Sequence, residues 1–303
     1  MLNSLADRPD ITVEHAQKLF PQFQDITFVG SGPDKVVFRG MMGTEQYALK
    51  VLNKPKNLDL DKHNAETLSA REACEKVAFQ ECRSRHVVMP GPVGLSVAQI
   101  DDHDVMYFSE TFVEGLGLEC ILTEQGPLST SEVLKLGTQM ADAIRSLWNI
   151  GKVHRDIKPG NVIVDRQRDH FVLLDSGLVF DVAGDLLHDA VPRGTTRYHS
   201  PEQFGRGRRL QVVDFRSDIY ALGSSMYEAA TGRHPFSTEA QTPWRLFYSI
   251  STVAPVRPTE YAPHLPDALE AIILRMLAKS PHDRYLTCDL LLDALQEIGA
   301  DGV

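Results

Sequence analysis

The chain has 303 residues, 31 basic against 41 acidic side chains, and a net charge of -10. That length can bury a substantial core as one large domain or two smaller ones, and the acidic excess argues against a nucleic-acid partner, which asks for a basic footprint. The cysteines Cys74, Cys82, Cys120 and Cys288 form no C-x-x-C pair and the eleven histidines lack ligand spacing, which argues against a metal cluster and for a reducing, cytoplasmic compartment.

Taken in chain order, MLNSLADRPD lacks the layout of a signal peptide, and ITVEHAQKLF reads as a short amphipathic helix on the domain surface. QDITFVG and DKVVFRG alternate like strands around a Gly-Pro turn, and EQYALKVL follows as a third strand. Good helix formers over 65–83 predict a helix, and VMYFSETFVE over 105–114 reads as a strand leading into the Gly-containing linker EGLG. Beyond the linker, Val133, Leu134, Leu136, Met140, Ile144, Leu147 and Trp148 fall at helical spacing, with Ser129, Thr130 or Ser131 as cap and Gly151 as stop. NVIV and HFVLLD read as short strands. Helices are expected over about 214–231, ended by Gly232, over about 267–279 and near 287–298. No run approaches about 18 apolar residues, so no membrane segment is expected. A β-rich front and a helical back predict an α+β protein of two lobes with a cleft between them, where ligands commonly bind.

HRDIKPGN, from His154 to Asn161, carries a carboxylate, a lysine two residues on and an amide five residues on. Phosphoryl transfer needs an acceptor for the hydroxyl proton, a cation for the moving charge and an oxygen ligand for magnesium. The segment resembles the catalytic loop of eukaryotic-type (Hanks-type) serine/threonine protein kinases, in the style of their bacterial members. The resemblance implies Asp156 as the base, Lys158 as the lysine that stabilises the transferring phosphate, and Asn161 as a magnesium ligand. LLDSGL places Asp175 fourteen residues after Asn161, where the family has D-F-G. Asp175 keeps the metal carboxylate, while Ser176 replaces the phenylalanine whose packing helps set active and inactive states.

VGSGPDKVVF resembles the family's glycine loop through Gly30 and Gly32, which let backbone N–H groups approach phosphates. The third glycine of the pattern falls at Lys35, and Pro33 stiffens the tip. Tyr47-Ala48-Leu49-Lys50 resembles the V-A-I-K strand, implying that Lys50 holds the α- and β-phosphates. Val37 and Ala48 would cover the adenine, with Ile163 beneath it. Glu66, Glu72, Glu75 and Glu81 are candidate partners for Lys50. Spacing favours Glu75, eleven residues before His86-Val87-Val88, with Phe79 one turn on to fill the volume lost at Ser176.

RGTTRYHSPEQF resembles the segment that closes the activation loop, with Thr195 as a positioning hydroxyl beside Asp156 and Lys158, and Ser200 in place of alanine. DFRSDIYALG supplies Asp218 to accept backbone bonds from the catalytic loop, and PHDRYLT supplies Arg284 to pair with Glu202. The stretch from Gly177 to Gly194 has no Ser, Thr or Tyr, and Val191 stands at a common phosphorylation point. Activity is therefore expected not to need a phosphate there, with Asp185 or Asp189 as a fixed charge for Arg155.

The resemblance covers roughly residues 26–298. It implies an N-terminal extension over 1–20, a kinase domain over 21–298 and a tail over 299–303. Within the domain the N-lobe would span 21–113, the hinge about 110–116 and the C-lobe 116–298. The expected cofactors are ATP and Mg2+, or Mn2+ in its place. The expected substrates are Ser/Thr hydroxyls of proteins, this chain among them. A binding scaffold without transfer and a small-molecule kinase of the same fold are the rival readings.

Overall fold

The computed structural model describes residues 10–32, 35–53, 81–82, 84–165, 169–175, 180–181, 197–204, 213–236 and 242–300. The chain enters through α1 (Val13–Leu19), whose N-cap Thr12 hydroxyl accepts from the His15 N–H. Strands β1 (Gln24–Ser31), β2 (Lys35–Met42), β3 (Glu45–Asn53), β4 (Ser96–Ile100) and β5 (His103–Thr111) then form an antiparallel sheet in the order β1-β2-β3-β5-β4. Period-two alternation gives this sheet two unlike faces. Phe38, Tyr47, Leu49, Val51 and Val105 pack on one face with Ile11, Ala16 and Phe20. Ala16 and Phe20 are fully buried, so α1 belongs to the core of the sheet. The other face carries the cross-strand pairs Ala48 with Glu110, Lys50 with Phe108 and Leu52 with Met106. Leu52, Met106 and Phe108 form a small apolar cluster there, beside two charged groups on a buried surface.

The second half is built on helices α2 (Leu118–Gln125), α3 (Thr130–Asn149), α4 (Phe215–Thr231), α5 (Pro243–Thr252), α6 (Asp267–Met276) and α7 (Cys288–Ala300). Helix α3 starts where the sequence places it. Ser129 Oγ accepts from the Glu132 N–H at 3.3 Å, and Glu132 Oε2 accepts from the Ser129 N–H at 2.9 Å, a reciprocal capping box. Its apolar stripe, Val133, Leu136, Met140, Ile144 and Leu147, lies in the main core with residues of α4, α6 and α7. Helix α4 ends on Gly232 at φ +69°, a left-handed stop that glycine adopts without strain.

Short strands run across the front of the helices. β7 (Lys152–Val153) pairs with β10 (Phe180–Asp181), and β8 (Val162–Asp165) lies between β6 (Leu116–Gly117) and β9 (His170–Leu173). Residues 86–90 stitch the two halves together. Leu173 N–H donates to His86 O, Val88 N–H to Leu173 O and Thr111 N–H to Met89 O. The linker after β5 depends on Gly115 at φ +153°. A Cβ there would lie 2.5 Å from Val164 O and 2.6 Å from Ile163 Cγ2, so the linker can press against β8 only without a side chain. Residues 65–80 of the expected helix, with Glu66, Glu72, Glu75 and Phe79, lie outside the described residues, as do Pro33, Ser176, Asp185, Asp189, Val191 and Thr195.

Candidate active site

The catalytic-loop segment leaves β7 and turns sharply at Arg155, which has φ +65°. A side chain other than glycine is strained there, and such a residue persists only where neighbours hold it. Asp218, in the first turn of α4, accepts the His154 N–H on Oδ2 at 2.8 Å and the Arg155 N–H on Oδ1 at 2.7 Å. Gln203 Nε2 donates to Arg155 O at 3.0 Å, and Gln203 Oε1 accepts the Ser200 N–H at 2.9 Å. The turn is thus clamped from α4 and from the S-P-E segment. Downstream, Pro159–Asn161 forms a single 3-10 turn that leads into β8.

Within this loop Asp156 Oδ2 accepts from Lys158 Nζ at 2.7 Å and from Asn161 Nδ2 at 2.9 Å, and Asn161 Nδ2 also donates to Asp156 O at 2.9 Å. The two donations fix the Asn161 amide, leaving Oδ1 to face away from the loop. Asn161 is fully buried, while the Asp156 side chain is 30% exposed, so the carboxylate stands at the open mouth of the site.

Asp175 follows β9 at φ +65°. Leu174 N–H donates to Asn161 O at 2.9 Å, and a ring nitrogen of His154, Nε2, meets Leu174 O at 2.8 Å, which ties the Asp175 backbone to the catalytic loop. Asp175 Oδ1 accepts from Lys50 Nζ at 2.6 Å. Its Oδ2 accepts from Lys35 Nζ at 2.7 Å, and the same ammonium donates to Asn161 Oδ1 at 3.1 Å. Lys50, Asp156, Asn161 and Asp175 therefore share one cleft, linked side chain to side chain, with Lys158 at its mouth.

The buried carboxylate on Lys50 comes from Glu110 in β5, which also accepts the Asp175 N–H on Oε2 at 3.0 Å. Lys50 Nζ lies 5.8 Å from the centre of the Phe108 ring. Burial works to discharge Lys50, but Asp175 and Glu110 outweigh it and hold its pKa above the ordinary value. Burial likewise opposes charge on Asp175, yet Lys35 and Lys50 hold its carboxyl well below the usual carboxylate range. Glu110 is pushed up by burial, with the Asp175 charge adding to it against Lys50.

Gly30 and Gly32 lie on the β1–β2 hairpin, where Gly30 pairs with Val37 and Gly32 N–H donates to Lys35 O at 2.8 Å. A Cβ at either glycine would meet nothing within 4 Å, so packing within the chain does not demand glycine there. Val37 pairs with Lys50, and Ala48 sits opposite Glu110, which puts both on the cleft face of the sheet. Ile163 lies on β8, two residues past Asn161. Glu81 is exposed, and Glu75 and Thr195 fall outside the described residues.

Sequence reasoning missed Glu110, Lys35 and Gln203. The signal for Glu110 was a carboxylate at an inward position of an otherwise apolar strand, after Met106 and Phe108. Lys35 was noted only as a missing glycine. Nothing local marked Gln203, whose partner is 48 positions away. By contrast, Glu202 and Arg284 meet as expected. Two parallel bonds of 2.7 and 2.9 Å join them, Ser217 Oγ donates to Glu202 at 2.7 Å, and the guanidinium lies 4.8 Å from the Tyr220 ring centre.

Comparison with known proteins agrees with this geometry. A family model described as protein kinase domain matches residues 23–294. "Probable serine/threonine-protein kinase CE0033" of Corynebacterium efficiens is 30% identical over 285 residues, 91% of this chain and 41% of that protein. Serine/threonine-protein kinase PknE of Mycobacterium bovis is 31% identical over 242 residues, 80% of this chain and 39% of that protein. PrkC of Bacillus subtilis is 32% identical over 190 residues, 62% of this chain and 28% of that protein. The chain spans less than half the length of these relatives. The crystal structure of Rad53 1-466 in complex with AMP-PNP superposes with a TM-score of 0.64 at 20% identity, covering 91% of this chain and 65% of that one. Among the described residues no helix is long and apolar enough to cross a membrane. With most of its length matched to the family model and its motifs gathered in one cleft, this chain belongs to the protein kinase domain family.

Proposed function

We propose that the chain transfers the γ-phosphate of ATP to serine or threonine hydroxyls of proteins, itself included. One observation carries this reading: an unbroken line of polar contacts from Lys50 through Asp175, Lys35 and Asn161 to Asp156 and Lys158. The oxygens Asn161 Oδ1 and Asp175 Oδ2 converge on one ammonium, at 3.1 and 2.7 Å, and two hard oxygens aimed at one cation suit Mg2+. Among the described residues no group of three or more His, Cys, Asp and Glu could hold a metal alone. Mg2+ does not require one, because it binds through one or two carboxylates and the substrate phosphates.

In this reading Asn161 and Asp175 hold Mg2+, which supplies positive charge to the phosphates. Lys50 orients the α- and β-phosphates, with Glu110, and Glu75 from the expected helix, as its carboxylate partners. Gly30 and Gly32 leave room for phosphate against the hairpin, and Val37, Ala48 and Ile163 enclose the adenine. The substrate hydroxyl meets Asp156 at the open mouth. Its oxygen bonds to the γ-phosphorus, the bond to the β–γ bridging oxygen breaks, ADP leaves, and Asp156 takes the proton. Lys158 offsets charge on the moving phosphoryl group, and Thr195 positions the hydroxyl beside both. Cys82, Cys120 and Cys288 are free thiols, in keeping with a cytoplasmic site of action. The domain limits proposed are a kinase unit over 21–298, divided near 110–116.

Transfer of radiolabelled γ-phosphate in the presence of Mg2+ tests the proposal, comparing the parent with Asp156→Ala and Asp175→Ala. An active parent and two silent variants are expected. A parent that binds Mg-ATP yet labels no protein, itself included, overturns the reading. Phosphatase treatment should leave activity intact. Loss of activity traced to phosphate on Thr195 or Thr196 would refute that part.

A further inference from the structure

Lys35 stands at the first position of β2, where the motif resemblance asks for glycine. Its side chain neither points to solvent nor bonds within the hairpin. Its side chain is 23% exposed, and the ammonium reaches across the cleft to Asp175 Oδ2 and Asn161 Oδ1. These are the two oxygens assigned to the metal. Lys50 already holds the other Asp175 oxygen at 2.6 Å, so both carboxylate oxygens are bonded to ammonium groups of the chain.

An ammonium at hydrogen-bond distance from two oxygens takes the volume that a metal would need at the roughly 2.0–2.1 Å of Mg–O bonds. The two cations cannot share those oxygens. Gly30 and Gly32 on the same hairpin face open space, so packing at neither glycine opposes withdrawal of the long Lys35 side chain from the two oxygens.

We propose that Lys35 is a tethered counter-ion that holds the Asn161–Asp175 pair in the nucleotide-free protein, and that a divalent metal loaded with nucleotide must displace it. The idea rests on the metal-nucleotide part of the kinase reading of the site, and not on transfer to protein. It makes Lys35 an internal competitor of Mg2+, so that metal demand is set by the chain itself. It also accounts for a lysine at a place where the motif resemblance expects no side chain.

The test measures Mn2+ binding by electron paramagnetic resonance, at a saturating concentration of a non-hydrolysable ATP analogue. Wild-type chain is compared with Lys35→Met, Lys35→Gly and Lys35→Arg, each checked for folding by circular dichroism. Lys35→Met and Lys35→Gly should bind Mn2+ at least fivefold more tightly than wild type, and Lys35→Arg should stay near wild type. Without metal or nucleotide, the Met and Gly variants should melt at a lower temperature, because Asp175 has lost one of its two cations. Unchanged Mn2+ affinity in the Met and Gly variants overturns the proposal. Weaker affinity also overturns it, since Lys35 would then assist the metal-nucleotide complex rather than compete with it. The readout needs no phosphate transfer, so a chain that binds Mn2+ and analogue but labels no protein refutes the kinase reading and leaves this one standing.

Discussion

Glu110 Oε2 accepts the backbone N–H of Asp175 at 3.0 Å while the other oxygen of the same carboxylate binds Lys50. One buried side chain thus sets the position of both Lys50 and Asp175. Glu110→Ala is predicted to cost up to about 3 kcal/mol of stability. That is the low end for breaking a buried ion pair, because Lys50 keeps Asp175. It should also lower kcat/KM for phosphate transfer tenfold or more, as Asp175 loses its backbone anchor. Urea unfolding and steady-state kinetics check both. A variant as stable and as active as wild type would sink the assignment.

Arg284 and Glu202 are buried together, and Arg284 also donates to Ala278 O and Arg216 O at 2.8 Å. Glu202 is held below the usual carboxylate range because the bonds and charge of Arg284 outweigh its burial. Arg284→Met leaves a buried anion unpaired and should cost about 3–5 kcal/mol. No contact of the pair reaches Lys50 or Asp175. Nucleotide-analogue affinity per folded molecule should therefore be unchanged, which calorimetry below the melting temperature would verify.

Asp218 holds the strained turn at Arg155 through two backbone N–H groups. Asp218→Ala strands two buried donors, each worth about 1–3 kcal/mol when unsatisfied. The expected result is a destabilised protein whose kcat falls more than its KM for ATP rises, since Asp156 is displaced while Lys50 is not. Equal kcat in the folded fraction would contradict this.

His234 is kept neutral by burial and by the charge of Arg197, which lower its pKa to about 3. In the unfolded chain the imidazole protonates below about pH 6.5. Between those values the unfolded state binds more protons. Stability from this group is therefore complete above about pH 6.5 and is lost as pH falls toward 3, by at most about 1.4 kcal/mol per pH unit. His234→Asn removes the titration. Relative to its own stability at pH 7.5, wild type should lose about 1.4 kcal/mol more than the variant by pH 5.5. Parallel stability curves for the two proteins would argue against the buried neutral imidazole.

Local sequence determined the grouping of Asp156, Lys158 and Asn161 and most of the helical frame, because the forces involved act over a few residues. Asp156, Lys158 and Asn161 bond to one another within a single turn, Ser129 and Glu132 cap α3 across three positions, and Gly232 stops α4 where it stands. Even Glu202 with Arg284 was legible, since each lies in a segment that resembles a known motif. Tertiary structure alone decided which charges meet in the cleft. Glu110 meets Lys50 across 60 positions and Asp175 across 65, and Lys35 meets Asn161 across 126 and Asp175 across 140. The physical reason is burial: once the sheet closes over the helices, Asp175 and Lys50 lose water and must be neutralised by whichever side chains the fold brings within bonding distance.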